Sequence, residues 1–389
     1  MGITKKINWE SAFIFLFLIV FPFGQLIRLN FNLAGLNIPL VPLDIVAGFG
    51  ALYTIFFQKK IPSFFKYIFY FLLAALFSYV LSIPVFKSDA LYGLFYLFRI
   101  FAYAFFFVYV WNFAQKSALN KKLLINSLIA ISAVSAIFGW YQYFTVPDLK
   151  PLYYIGWDMH LYRLAGSFFD STFLALIIVF GLVLLMNKYV DAKNRKLIPL
   201  IIFLLVSLAF TYTRAAYLAF LAGFVVIGLS KKNLRKVFFW IIGLGIIALL
   251  LPTAKNQSIS LTRTFSIDAR FTNYGETLKV FENFPIFGVG YNNMCVARNM
   301  FIGQETFASH ACSGSDSSLL LILATTGIIG FMAFINSLAT VLKSLRGEYV
   351  IPVIAVLMAL FVHSFFSNSL FFPWVMGYMG VLLAVGTKK

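Results

Sequence analysis

Apolar runs of about 20 residues limit the fold of this 389-residue sequence more than any other feature. A helix rises about 1.5 Å per residue, so a run of this length can cross the hydrocarbon core of a bilayer. Charged residues are only 11% of the chain, too few to cover the surface of a soluble protein of this size. The sequence predicts an all-α membrane protein with twelve transmembrane helices, at residues 11–29, 37–57, 64–83, 91–113, 123–145, 171–187, 197–211, 214–229, 236–253, 318–342, 350–366 and 370–386.

The positions of the basic residues agree with this count. With the N-terminus in the cytoplasm, the segments assigned to the inner side carry 20 of the 31 Lys and Arg residues. Short cytoplasmic loops of membrane proteins show this excess, and one miscounted span would invert the pattern from that point on. We therefore predict a multi-pass protein with both termini in the cytoplasm. The bilayer explains the net charge of +18, and no nucleic-acid partner is predicted.

Two predicted outer loops, 146–170 and 254–316, are long, and both belong to a single polytopic domain, residues 1–389. Long loops within a compact domain are usually functional. The second loop separates spans nine and ten, and it contains an amphipathic pattern near 270–282 that ends before Pro285. Phe271, Tyr274, Leu278 and Phe281 fall on one face of this predicted helix, and Arg270 lies near its start.

Arginines within or beside the spans need a partner or water, because an isolated charge in the bilayer is costly. Arg99 lies within span four, and Asp44 in span two is its predicted partner. A purely structural ion pair is the alternative. Arg214 lies at the hinge between spans seven and eight, where a functional contact and a side chain extended to the lipid headgroups both remain open.

Further polar residues precede span ten. Asp316 is a functional candidate, and its alternative role is the N-cap of the following helix. His310 has no second histidine nearby, so the sequence predicts no metal site and no cofactor. Cys295 and Cys312 share the long loop, and both a disulfide and two free thiols are open.

Four patches of the sequence resemble motifs of the O-antigen polymerase/O-antigen ligase superfamily of integral-membrane glycosyltransferases. The first is R-x-x-G-x-F at 163–170, although Ser171 follows where the family usually has Pro. The others are T-x-S/T-R at 211–218, R…P-x-x-G-x-G at 270–290 and H/D-N/S-x-x-L…G-x-x-G at 316–330. Their order, spacing and predicted side of the membrane together carry the resemblance.

The resemblance implies a glycosyltransferase of the bacterial inner membrane, and the lack of a visible metal site predicts metal-independent activity. Its substrate would be an undecaprenyl-pyrophosphate-linked oligosaccharide, and its partners would include the lipid bilayer, a chain-length regulator and a flippase. An arginine guanidinium can donate two hydrogen bonds to a pair of phosphate oxygens, and it stays protonated. Arg214 and Arg270 are therefore assigned to the pyrophosphate. Asp316 is the predicted base for the acceptor hydroxyl. The substrate-binding residues are predicted to be Arg163, Arg99, Asp44, Tyr291 and His310, with His310 also the alternative base.

Three classes of function remain open at this point, namely glycosyl transfer by a polymerase or a ligase, transport, and a non-catalytic role in assembly. Ligases of the family, which pass glycan to lipid A core, usually show His-Asn where this chain has Asp316-Ser317, and this favours the polymerase. A transporter of lipid-linked oligosaccharides also suits twelve spans, although it does not require a long outer loop with two arginine patches. A non-catalytic assembly partner is the third function.

Overall fold

The structure is a computed structural model that describes residues 9–33, 36–155, 157, 159–251, 265–303 and 314–388. Within these ranges the chain is almost entirely helical. The helices before the long loop are α1 (Trp9–Val20), α2 (Pro42–Phe57), α3 (Phe65–Phe86), α4 (Leu91–Ala114), α5 (Ala118–Thr145), α6 (Ser171–Ala192), α7 (Ile198–Ala209), α8 (Arg214–Ser230) and α9 (Leu234–Leu249). The later helices are α10 (Phe265–Asn283), α11 (Met294–Ile302), α12 (Ser318–Ser344), α13 (Val350–His363) and α14 (Pro373–Gly386). Short 3-10 turns lie at Phe21–Leu26, Lys87–Ala90, Lys150–Ile155, Gly166–Phe168 and Arg195–Leu197.

Each of the twelve predicted spans contains a helix, and α10 and α11 lie in the long loop between spans nine and ten. Among the described residues, four helical stretches are long and apolar enough to cross a membrane, namely Phe65–Ala114, Ala118–Thr145, Ser171–Ala192 and Ser318–Ser344. The first of these contains α3, a 3-10 turn and α4. Six shorter apolar helices accompany them. The chain is thus an all-α membrane protein, while the number and direction of its crossings stay predictions.

One predicted span was wrong in part. Residues 29–33 (β1) pair antiparallel with residues 36–40 (β2), so the second apolar run begins as a strand and becomes helical at Pro42. Proline suits the first turn of a helix, because its missing N–H would have no partner there. Periodicity cannot separate a short apolar strand from the end of a helix, and the hairpin was therefore missed.

Helix α6 is the centre of the bundle, and almost every residue from Leu174 to Asn187 is buried. Small residues bring its neighbours close. Ser132 of α5 donates a hydrogen bond to the Ile177 carbonyl at 2.8 Å, and a Cβ at Gly181 would overlap the Ser132 side chain. Close backbone approach of this kind is how helices associate in lipid, where hydrophobicity alone gives no preference for protein contacts.

The segment after α10 is held against a kink in α12. Gly327 adopts φ 65° and ψ −172° within α12, and a Cβ there would overlap the Ile286 carbonyl. The Ile328 N–H donates to Pro285 O at 2.9 Å, and the Val289 N–H donates to Ala324 O at 3.0 Å. The freed backbone groups of the kink are therefore paired by the loop, which fixes α10 relative to the start of α12.

The apolar stripe of α10 is packed only in part. Phe271 is 69% exposed and Leu278 is 41% exposed, whereas Phe281 packs against the apolar cluster and Thr277 and Val280 are buried. In a soluble protein an apolar stripe points to the core, but in a membrane protein it can equally point to lipid. The stripe therefore predicted the helix without fixing which face is packed.

Candidate functional site

A polar cavity of about 290 Å³ opens at the predicted outer ends of the helices. It draws on both long loops, on α4, α6 and α10, and on the segment between α13 and α14. Its lining consists of Gln25, Arg28, Pro39, Val41, Tyr96, Arg99, Trp157, Asp170, Phe173, Asn273, Gly314, Ser315, Asp316, Ser367, Asn368, Phe371, Phe372, Pro373 and Trp374. Residues far apart in the sequence therefore share one chamber.

Asp316 lies on the wall of this cavity. The N-cap of α12 is its neighbour Ser317, whose side chain accepts a hydrogen bond from the Leu320 N–H at 3.4 Å. The alternative that Asp316 itself caps the helix was wrong by one residue. The Asp316 N–H donates to Asn273 Oδ1 of α10 at 2.9 Å. Helix α10 thus fixes the backbone of Asp316, and the carboxylate is not used as a helix cap.

A second contact joins α10 to the same segment. Thr277, one turn beyond Asn273, donates to Ser315 Oγ at 3.0 Å, and Ser315 Oγ donates to Asn273 Oδ1 at 3.2 Å. Arg298 of α11 donates to Thr277 Oγ1 at 3.4 Å, and its Nε lies 3.9 Å from Glu276 Oε2. Burial lowers the pKa of Arg298, and Glu276 acts in the opposite direction. The long loop is therefore the scaffold of the Asp316 segment.

Arg214 and Arg270 lie close to each other beside this scaffold. Arg214 is the first residue of α8, and its guanidinium repels that of Arg270 on α10 electrostatically. Arg270 Cζ stands 6.0 Å from the Phe366 ring, and no carboxylate forms an ion pair with Arg270 in the part of the chain that the structure describes. Two like charges are thus held together, an arrangement that an anion would relieve.

Tyr274 connects the arginine pair to the cavity side. It lies one turn beyond Arg270 on α10, and its hydroxyl donates to the Phe365 carbonyl. Burial raises the pKa of Tyr274, with Arg270 lowering it and Asp316 raising it further. Tyr274 therefore feels both charges, so the three residues assigned to catalysis occupy one neighbourhood, although only Asp316 lines the cavity.

The predicted pairing of Arg99 with Asp44 is confirmed. Arg99 Nη2 donates to Asp44 Oδ2 at 2.8 Å and to the Pro39 carbonyl at 2.8 Å, and the Tyr103 hydroxyl donates to Asp44 Oδ1 at 3.2 Å. Arg99 lines the cavity, whereas Asp44 is buried behind it. The charge of Arg99 is thus largely neutralised before any substrate arrives.

Arg163 is not placed to bind substrate. It is buried, and its guanidinium donates to Thr211 O at 2.8 Å and to Thr213 Oγ1 at 3.1 Å. These residues form the turn between α7 and α8, immediately before Arg214. The structure therefore places Arg163 as a clamp on that turn and corrects its assignment to direct binding.

Tyr291 also differs from its predicted place. It is buried in the apolar cluster between α3, α4 and α12, and its ring packs edge-on against Phe371 at 5.7 Å. Burial raises its pKa. The preceding Gly288 and Gly290 have φ values of 76° and 92°, and a Cβ at Gly288 would overlap the backbone of Thr325. The Gly-x-Gly pattern here is a packing turn, and Tyr291 belongs to the core.

Some predictions fall outside the described residues, namely those for His310 and for Cys312. Cys295 is described and is disulfide-bonded. Among the described residues, no three His, Cys, Asp or Glu side chains form a group that could hold a metal ion. Metal-independent activity stays a prediction.

Several residues of the site carried no signal in the sequence. Gln25 and Arg28 lie at the end of a predicted span, Trp157 lies in the first outer loop, and Asn368 lies between two spans. His363 is fully buried, and its Nδ1 lies 2.6 Å from Ser369 Oγ. These residues come together only in the folded chain, so a search for local motifs cannot group them.

The fold and the cavity define a class, that of helical membrane proteins with a polar chamber at the predicted outer ends of their spans. Residues 199–335 match the family model described as O-antigen ligase, a segment that runs from α7 into α12 and includes Arg214, Arg270 and Asp316. This match confirms the resemblance to the O-antigen polymerase/O-antigen ligase superfamily, whose members are glycosyltransferase-like enzymes. No curated protein shows a significant match to the chain.

Proposed function

We propose that this protein is a surface-polysaccharide (O-antigen) polymerase. It joins undecaprenyl-pyrophosphate-linked repeat units by glycosyl transfer on the outer side of the bacterial inner membrane. The observation that carries the proposal is the position of Asp316, which lines the cavity beside the scaffold that holds Arg214 and Arg270.

In the proposed reaction, the acidic residue and the two arginines each have a separate role. The acceptor hydroxyl oxygen forms a bond to the anomeric carbon of the donor sugar, and the bond from that carbon to the pyrophosphate oxygen breaks. The hydroxyl proton passes to the Asp316 carboxylate, which acts as general base. The bonding electrons leave with undecaprenyl pyrophosphate, and Arg214 and Arg270 stabilise the charge that develops there.

The acidic residue supports a polymerase over a ligase. Ligases of the family usually show His-Asn at the positions of Asp316 and Ser317, as noted above. Here Ser317 caps α12 and leaves the Asp316 carboxylate at the cavity. Because the Ser317 hydroxyl caps the helix, the Asp316 carboxylate does not have that role and is compatible with an anionic base.

The membrane placement belongs to the same proposal. Twelve crossings with both termini in the cytoplasm put the cavity and both long loops on the outer side. Helices α3, α4, α5, α6 and α12 have 22 to 28 residues and can each cross the bilayer alone. The shorter helices that would cross with the help of the flanking turns are α1, α2, α7, α8, α9, α13 and α14.

The test uses the purified full-length protein in lipid nanodiscs with undecaprenyl-pyrophosphate repeat units as the only sugar substrate. A polymerase gives a ladder of glycan sizes on a gel. Arg270→Ala should lower the rate by at least about 100-fold, because a preorganised charge at the leaving group is lost. Arg270→Lys should recover little of it, since lysine lacks the two-pronged donor. Lys279→Ala, on an exposed side chain of the same helix, is the matched control.

Other outcomes would redirect the proposal. Transfer only after addition of lipid A core would identify a ligase. Movement of intact lipid-linked sugar with no new glycosidic bond would identify a transporter. Loss of the ladder in a metal chelator would contradict metal-independent chemistry. Partnership with a chain-length regulator or a flippase is part of the proposal and would show as a changed ladder length on co-reconstitution.

A further inference from the structure

Arg28 is a second cation on the cavity wall, and its surroundings differ from those of Arg99. Its Nε donates to Asn30 Oδ1 at 3.0 Å, and no carboxylate forms an ion pair with it within the described ranges. The titratable groups that act on it electrostatically are Tyr96, Arg99 and Tyr92, none of them a carboxylate. Because Asp44 neutralises Arg99, Arg28 is the uncompensated charge at this end of the chamber.

The carboxylates of the cavity act on groups other than Arg28. Asp170 accepts a hydrogen bond from the Thr172 N–H at 2.6 Å as the N-cap of α6, and its Oδ1 lies 4.0 Å from His160 Nε2. Asp316 acts electrostatically on the buried Arg298. An anion that enters the cavity therefore finds its complementary charge at Arg28.

Buried acceptors belong to residues of the same cavity. Gln25 and Asn368 line it, and their Oε1 and Oδ1 atoms are closed to solvent and have no hydrogen-bond partner among the residues the structure describes. An orphaned buried polar atom costs free energy unless a ligand or a water satisfies it. As the two amides are oriented, each oxygen needs a hydrogen-bond donor. If an amide is rotated by 180°, its NH2 group lies at that position and needs an acceptor instead. A hydroxyl group can act as donor or as acceptor.

Aromatic surfaces complete this end of the chamber. Arg28 Cζ stands 5.5 Å from the centroid of the Trp157 ring, and Phe173 stacks on Phe372 with centroids 3.7 Å apart. Flat aromatic rings offer an apolar face to the C–H groups of a pyranose, while amides and a guanidinium bind its polar edge. A cation, buried acceptors and aromatic rings thus belong to residues that line one cavity.

We propose that the Arg28 end of the cavity is a subsite for an acidic sugar, one that carries a carboxylate within the repeat unit. This inference rests on the proposed glycosyl transfer and names the chemistry of the sugar. The carboxylate pairs with Arg28, and the ring hydroxyls donate to Gln25 and Asn368. Phosphate oxygens offer the charge but only accept hydrogen bonds, whereas the hydroxyls of a sugar can also donate to the two amide oxygens as they are oriented in the structure. The pyrophosphate belongs instead to Arg214 and Arg270.

The test measures binding without turnover. Purified full-length protein in nanodiscs is titrated with sodium D-glucuronate, D-glucose and inorganic pyrophosphate, with saturation-transfer NMR as the readout. Glucuronate should bind at least about tenfold more tightly than glucose, since the two differ only in the carboxylate that pairs with Arg28. Arg28→Gln should remove this preference, and Arg28→Lys, which keeps the charge, should retain part of it.

Two control variants locate the effect. Arg235→Gln, at an exposed arginine far along the chain, should leave glucuronate binding unchanged. Arg270→Gln should weaken pyrophosphate binding and leave glucuronate binding intact. Equal affinity for glucose and glucuronate would overturn the proposal, as would a glucuronate affinity that Arg28→Gln does not change. If Arg28→Gln weakens pyrophosphate binding as strongly as glucuronate binding, the site binds phosphate, and the proposal is overturned as well.

The subsite and the polymerase can fail separately. Glucuronate binding through Arg28 in a protein that forms no ladder would support the subsite and refute the polymerase. A ladder formed without any preference for acidic sugar would support the polymerase and refute the subsite.

Discussion

Replacement of Arg163 by lysine should reduce activity through a residue that does not line the cavity. Arg163 donates to Thr211 O at 2.8 Å and to Thr213 Oγ1 at 3.1 Å, and a lysine ammonium cannot reproduce this fork. Hydrogen bonds to charged groups contribute about 1.5–3 kcal/mol each, and loss of one should cost about 2 kcal/mol of stability. Because the turn leads directly into Arg214, the pyrophosphate site should loosen as well.

The assay compares thermal unfolding with kinetics in the same nanodisc preparation. Arg163→Lys should lower the melting temperature by a few degrees and raise KM for the lipid-linked substrate, with a smaller change in kcat. Thr213→Val removes the side-chain partner alone and should give a milder form of the same result. If activity is lost while the melting temperature stays normal, Arg163 does not act by holding the turn, and its assignment to direct substrate binding is restored. Normal activity and normal stability together would remove the residue from both roles.

Three further predictions test other features of the structure. Asp44→Ala should cost about 3–5 kcal/mol of stability, because it leaves Arg99 buried without its partner, and the double variant with Arg99→Met should recover part of the loss in chemical unfolding. Gly327→Ala should abolish the ladder and lower stability by at least about 1–3 kcal/mol, because its φ of 65° strains any side chain and the Cβ would strike the Ile286 carbonyl; a normal ladder would refute the docking of the loop on α12. Cysteines at positions 232 and 279, in a background free of other cysteines, should react with a membrane-impermeant maleimide from opposite sides, and labelling from the same side would contradict the twelve-span topology.

Hydropathy and local motifs were enough to predict the helical frame. The turn at Arg214 and the end of α10 before Pro285 follow from local sequence, because the residues that determine them lie within one or two helical turns. The ion pair of Asp44 with Arg99 was also predictable, because two opposite charges within spans two and four have few other partners.

The rest depends on distances that a sequence does not contain. The cap of α12 differs from the predicted one by a single residue, since Asp316 and Ser317 are both good capping residues. Arg28 and Gln25 sit at the end of an apolar run, where a sequence pattern assigns them to the membrane interface. Only the fold shows that they face Asn368, more than 300 positions away.

The cavity walls come from two parts of the chain with different relations to the family. The segment that matches the family model, residues 199–335, contributes Asn273 and residues 314–316, together with the nearby arginine pair. Arg28, Trp157 and the remaining wall lie outside that segment. In the proposed polymerase, the groups assigned to bond making and those proposed to face the sugar thus lie in separate parts of the chain. Exchange of the N-terminal wall between related chains could change which repeat unit is accepted while the transfer chemistry stays the same, and a fragment limited to 199–335 would enclose no chamber.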